Sequence, residues 1–326
     1  MHINVINADP TPFQSITSTL VKEKLITELY KIVFLVLALL GFHSAALAQA
    51  DKHNQLLDQY IFNPLVINPA YAGKNQALTA VAHHRYQDHR FSAGRLIQSV
   101  SLHSPIGGEN YNVGGIIALD RFGDRPTADV MAMYAWRIPV KKGHLSLGVQ
   151  GGARFIGHDL NTFDDENTLG NAILPRFGGG VYYHVDDFFV GLALPDNVIS
   201  TINIPETISN IVPHRLYTFI IGNTFRVNEN FDVLPSVLLR RFGSGGVFAD
   251  FNGSVIYDKR FSIGGSFRPE RSIALITQME LGQFNIGYSF ERWAHRWSGI
   301  TARVHELVLT YNFRYNVKTV HPRNFK

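Results

Sequence analysis

Beyond residue 77 the chain alternates apolar and polar residues at period two, the periodicity of a β-strand with two unlike faces. In Gly143–Phe155, Leu145, Leu147, Val149, Ala153 and Phe155 share one face, while His144, Ser146, Gln150 and Arg154 share the other. In 283–292, Phe284, Ile286, Tyr288 and Phe290 oppose Asn285, Gly287, Ser289 and Glu291. The same holds for 246–257 and 305–315. No apolar stripe of helical period extends past two turns. The pattern predicts fourteen strands, at 78–86, 95–103, 111–120, 127–138, 143–155, 175–184, 187–194, 214–226, 230–240, 246–257, 260–269, 272–281, 283–292 and 305–315.

Most of these have the length a tilted strand needs to cross a bilayer, about 9–11 residues, whereas strands of soluble domains peak near five or six. Their number is even, as bacterial outer-membrane barrels require. Connections after odd-numbered strands run to 8, 6, 19, 19, 5, 2 and 12 residues, and those after even-numbered ones to 7, 4, 2, 3, 2 and 1. Short turns at one end and long loops at the other mark an outer-membrane barrel. A spanning sheet must close, because lipid cannot hydrogen-bond an edge strand. The expected fold is therefore all-β, a transmembrane antiparallel barrel of about fourteen strands at 78–315, with a periplasmic tail at 316–326. The apolar faces would meet lipid. Arg137, Arg154, Arg176, Asp250, Glu280, Glu291, Glu306 and Arg314 would face the lumen, with Gly178, Gly180, Gly264 and Gly287 at crowded inward positions. Trp136, Phe177, Tyr217, Phe231, Phe267 and Tyr315 are candidates for interfacial girdles. The competing fold, a secreted β-sandwich, predicts shorter strands, more surface lysine and no loop asymmetry.

Residues 1–48 carry a different signal. Lys22, Lys24 and Lys31 precede an apolar run from Ile32 to Phe42, and Ala46-Leu47-Ala48 is a small-x-small cleavage site. This is the layout of a secretory signal peptide with a long n-region. As a membrane anchor the run is too short, since about 20 residues are needed.

Composition narrows function. Charged residues are 17% of the chain, and the formal charge is +4, too small an excess to suggest a nucleic-acid partner. Cysteine is absent, which removes thiol catalysis, Cys-ligated metal and lipid attachment through cysteine. Mean hydropathy near zero argues against a helical membrane bundle.

The segment 49–77 is too apolar for a free tail, and is expected to plug the barrel or pack at its periplasmic mouth. Its residues 59–73 read QYIFNPLVINPAYAG, with turns expected at Asn63-Pro64 and Asn68-Pro69. This block resembles the signature at the mature start of the PorP/SprF family, outer-membrane proteins of the type IX secretion system in Bacteroidetes. Weaker matches are Ser104-Pro105-Ile106, the run at 187–195, and Gly287-Tyr288-Ser289-Phe290, where the family typically has Tyr-Ser-Tyr-Asp against Tyr288-Ser289-Phe290-Glu291 here. The resemblance implies a fatty-acid-transporter-like barrel in the outer membrane of a Gram-negative bacterium. It would support secretion or surface anchoring of a type IX substrate with a type-B C-terminal domain, such as a large gliding adhesin, alongside other secretion-system components. It implies no cofactor, no metal and no catalytic motif. Candidate plug or partner residues are Gln59, Tyr60, Phe62, Asn63, Pro64, Asn68, Pro69, Tyr71 and Gly73, with Ile199, Ile202 and Ile204 in a long loop otherwise expected to be wet.

Other chemistry has weaker support. In His83-His84-Arg85-Tyr86-Gln87-Asp88-His89, His83 and Arg85 face one way and His84 and Tyr86 the other, with His89 in the following loop, so a metal would need ligands from elsewhere. Gly178-Gly179-Gly180 lacks the helix and lysine of a phosphate loop. Ser101 and His103 share a strand face assigned to the lumen, the wrong side for a membrane phospholipase. The more serious alternative is a passive channel for hydrophobic small molecules. A continuous apolar tunnel would favour it, whereas a lumen blocked by polar contacts from 49–77 and loops 156–174 and 195–213 favours docking.

Overall fold

The computed structural model describes Tyr60 and residues 63–89, 94–106, 110–122, 125–157, 172–198, 215–243, 246–269, 272–294 and 301–313. Within these residues fourteen antiparallel strands join in one closed ring. They begin with β1 (Leu78–His89), β2 (Arg95–Pro105), β3 (Tyr111–Phe122), β4 (Arg125–Val140), β5 (Gly143–Ile156), β6 (Ala172–Val185) and β7 (Phe188–Val198). Strand β8 covers Arg215–Asn223 and, past a break at Thr224, Phe225–Arg226; both pieces pair with β9 (Phe231–Phe242). The ring continues through β10 (Val247–Tyr257), β11 (Phe261–Arg268), β12 (Ser272–Leu281), β13 (Phe284–Ala294) and β14 (Thr301–Phe313). β14 pairs with β1 from Leu78↔Phe313 to His89↔Ala302, so the sheet has no edge.

Each strand turns an apolar face outward. Val149 is 60% exposed and Ile273 65%, while their neighbours Gln150 and Ala274 are buried. An outer coat of this kind, wrapped round a closed ladder, is what lipid demands of a spanning sheet. Trp136, Phe177, Phe231 and Phe267 belong to the coat. Residues 1–48, the expected signal peptide, and Arg314, Tyr315 and the tail 316–326 lie outside the described residues.

The strands run further than alternation alone predicted. β3 and β4 leave two residues between them, at 123–124, instead of six, and His89 is the last residue of β1, not a loop residue. The connections at 157–171 and 199–214 are shorter than nineteen residues for the same reason. A closed barrel supplies every strand with a partner on both sides, so Arg121, Phe122, Arg125 and Pro126, outside the predicted strands, stay in the ladder.

β7 carries one bulge. Ala193 pairs with Thr218 and Asp196 with Leu216, while Leu194 pairs with Gly179 and Asn197 with Phe177, so β7 has one residue more than either neighbour. Pro195 sits in this bulge, where its missing N–H costs no ladder bond.

Candidate functional site: a plugged lumen

The inward face is not uniformly polar, as the alternation had suggested. Ile116, Met131, Met133, Ala135, Ile220 and Leu238 form an apolar layer around the middle of the lumen, and the N-terminal segment packs on it. Tyr60, Leu65, Ile67, Ala70 and Ala72 are almost fully buried there. Both Asn-Pro pairs open 3-10 turns, Pro64–Val66 and Pro69–Tyr71, with proline at the first helical position where no N–H is needed. The Asn68 side chain caps the second turn by accepting from the Ala70 N–H at 2.9 Å.

Hydrogen bonds fix this plug to four separate strands. Asn63 Nδ2 donates to Ser101 Oγ of β2 at 3.3 Å, and the Gly73 N–H to His103 Nδ1 at 3.1 Å. Asn68 Nδ2 donates to the Val181 carbonyl of β6 at 3.0 Å. Thr218 Oγ1 of β8 donates to the Ile67 carbonyl at 3.1 Å, and Asn252 Nδ2 of β10 to the Tyr60 hydroxyl at 2.8 Å. Tyr71 stands edge-on to Tyr182 and His103, with centroids 5.6 and 5.9 Å away. Burial pushes the Tyr71 hydroxyl up to about 12, against the opposing effect of Arg137, and pushes Tyr60 up further.

Glycines let the plug come this close. A Cβ at Gly148 would lie 2.2 Å from the Ala70 nitrogen, and one at Gly180 2.2 Å from Asn68 Oδ1. The chain leaves the plug at Gly73, where φ is +68°.

Towards the long-loop end the lumen is charged and internally paired. Glu306 meets His83 and Arg85, the latter with Nη1 at 3.5 Å, and accepts from Ser289 Oγ at 3.3 Å. Arg85 Nη2 reaches Glu291 at 3.2 Å; Arg268 joins Glu291 to Asp250, and Arg240 closes on Asp250. On the facing wall Asp129 sits between Arg154 and Arg176, both at 2.7 Å, and Arg95 pairs with Asp120. Several of these are direct cross-strand partners, Arg85↔Glu306 and Asp129↔Arg154 among them. Buried charges persist when paired and hydrogen-bonded like this.

Among the predicted site residues, Tyr60, Asn63, Pro64, Asn68, Pro69, Tyr71 and Gly73 converge in the plug. Gln59, Phe62, Ile199, Ile202 and Ile204 lie outside the described residues. His83 is committed to Glu306 while His84 is on the outer face beside Gln98, so the histidine run does not converge. Ser101 and His103 do face the lumen, where both hold the plug. Glu280 stands near the short-turn end of β12, outside the network. Arg85, Arg95, Asp120, Asp129, Arg240 and Arg268 were not expected as a set. Their partners lie up to 221 positions away, so only strand alternation marked them as inward.

Comparison with known proteins gives one family. The family described as type IX secretion system membrane protein PorP/SprF matches residues 49–311. No curated protein sequence matches the chain. Among solved structures, the CymD monoaromatic hydrocarbon channel is similar at 11% identity with a TM-score of 0.51, over 84% of this chain and 96% of that one. KdgM porin is similar at 8% identity and a TM-score of 0.36, over 72% and 99%. A triple-mutant Rhodopseudomonas blastica porin is similar at 7% identity and a TM-score of 0.34, over 73% and 99%. At such identities the CymD likeness speaks for the barrel fold only.

Proposed function

This chain belongs to the PorP/SprF family of type IX secretion system membrane proteins, and from that premise we propose that it supports secretion or surface anchoring of a large type IX substrate, such as an adhesin with a type-B C-terminal domain. It works by binding and catalyses no reaction. Its place is the outer membrane of a Gram-negative bacterium, with the apolar coat in lipid, the short turns in the periplasm and the long loops outside.

The observation that carries this reading is the plug. It packs on the apolar layer of the lumen and is bonded to β2, β6, β8 and β10. A passive channel for hydrophobic molecules needs an open apolar path. Here the apolar layer is covered by Leu65, Ile67 and Tyr71, and the long-loop half is walled by ion pairs, not by apolar side chains. A docking platform benefits from that rigidity, because fixed groups lose little entropy on binding.

The test is affinity capture of the tagged protein from detergent-solubilised outer membranes. Co-purification of a very large exported protein bearing a type-B C-terminal domain supports the reading. Steady ohmic conductance of the purified wild-type protein in planar bilayers, with no such partner recovered, refutes it and favours the channel. Deleting 199–206, with the apolar Ile199, Ile202 and Ile204, tests the outer rim as the docking face. Unchanged surface display of the substrate would exclude that loop.

A further inference from the structure

The lumenal charges are distributed unequally along the barrel. In the long-loop half the arginines face carboxylates: Asp120, Asp129, Asp250, Glu291 and Glu306 all stand there. At the short-turn mouth, the wall formed by β4, β5 and β6 and the departing plug is instead cationic. Lys74 follows Gly73 out of the plug and is largely covered. Its ammonium lies over the rings of Tyr71 at 5.4 Å and Tyr182 at 5.8 Å, and no acceptor or carboxylate among the described residues pairs with it. Arg137 of β4 is nearby and almost fully buried; burial and that charge together hold the Lys74 ammonium below its usual range.

Beside Lys74 stand two imidazoles. His184, near the end of β6, stacks on His144, near the start of β5, with centroids 5.2 Å apart, and lies 6.0 Å from the Tyr182 ring. Lys74, Arg137 and His144 all act on His184 electrostatically. His184 Nδ1 is buried and has no hydrogen-bond partner among the described residues. The β4–β5 turn adds exposed Lys141 and Lys142. In the adjoining β6–β7 turn Asp186 and Asp187 are exposed, and Asp187 Oδ2 is 3.9 Å from Arg226. Asp232 and Glu280 are at the same end of the barrel, Asp232 on β9, three strands along from β6, and Glu280 on β12, across the ring from β5 and β6.

Covered cationic and imidazole groups without acceptors are costly unless an anion completes them. We propose that this mouth is an oxyanion site, built by Lys74, His144 and His184, that receives side-chain carboxylates of an acidic polypeptide. The inference rests on the reading that the barrel docks protein partners, and it names the chemistry of a contact at the short-turn mouth, at the opposite end from the outer rim. An ammonium beside imidazole N–H donors suits carboxylate oxygens. The site is inside the barrel wall, and the strands separate it from lipid headgroups outside. Glu280 on the far wall repels an acidic chain and so favours its seating against β5 and β6.

Binding of a fluorescein-labelled glutamate-rich peptide to the purified full-length protein in detergent, followed by anisotropy at low salt, tests this without any secretion substrate. The glutamate peptide should bind, and its glutamine analogue should bind at least about tenfold more weakly, the scale of losing a charged hydrogen bond. Lys74→Gln and His184→Asn should each weaken the glutamate peptide, the second serving where the first disturbs the plug. Equal affinity for both peptides, no binding, or unchanged affinity in both variants overturns the site. Displacement of the peptide by an equal concentration of inorganic phosphate overturns the polypeptide assignment and leaves a free-anion site. Failure to capture a large substrate from membranes would bear on the docking reading alone, so the two are separable.

Discussion

Replacing Gly148 with valine should force the plug off its seat while leaving the barrel intact. The glycine's missing Cβ would point from β5 at the plug backbone, 2.2 Å from Ala70 N and 2.5 Å from Ala70 Cα. Ordinary contact begins near 3.4 Å, so one side must give by more than an ångström. β5 is held by continuous ladders to β4 and β6, whereas the plug depends on a handful of side-chain bonds. The plug is the weaker partner and moves. Overpacking of this kind costs about 1–3 kcal/mol, which lowers the docked-to-undocked ratio about 5- to 150-fold. The chain has no cysteine, so a single Ala72→Cys substitution reports on the plug without background; Ala72 is fully buried. Labelling of the introduced thiol by a membrane-impermeant maleimide should be slow in the Ala72→Cys parent and faster by that factor when Gly148→Val is added. The Ala72→Cys substitution alone should leave heat-modifiable migration of the barrel unchanged. Equal labelling rates in the two proteins, with the barrel folded in both, would refute the claim that close approach at Gly148 seats the plug.

Further expectations follow from the same geometry. Asn68→Ala removes the bond to the Val181 carbonyl and the cap on Ala70, about 1 kcal/mol each, and should speed labelling of the same Ala72→Cys thiol about 30-fold; no change would mean that apolar packing alone holds the plug. Glu306→Ala leaves His83 buried without its carboxylate and Arg85 with that of Glu291, so the urea midpoint for unfolding should fall by the equivalent of about 3 kcal/mol, and an unchanged midpoint would show that the network re-pairs. Tyr71 titrates at about 12 in the plugged barrel against 10.0 when free. A raised pKa stabilises docking below pH 10 and loses that contribution as pH climbs through 12, so absorbance at 295 nm should show late-ionising tyrosines, fewer of them in Tyr71→Phe; uniform ionisation near 10 would contradict burial of the plug.

The sequence alone determined the barrel. Period-two alternation names the lipid face of a strand almost residue by residue, because lipid penalises polar side chains, and that demand leaves its trace locally, as in Leu147, Val149 and Phe155. The Asn-Pro pairs likewise announced two turns that the structure contains, since proline fixes φ wherever it stands. The ends of the strands were less legible: continued pairing held Arg121 and Pro126 in the ladder, and pairing depends on the neighbour. What only the tertiary structure decided is the interior. Alternation marks a residue as inward without saying what it meets there. Arg85 meets Glu291 and Glu306, and Asn252 meets Tyr60, across 192 or more positions of chain. Closing the ring brings these together, and so turns an inward-facing set of arginines, carboxylates and small residues into a seated plug, a paired charge network and a cationic mouth.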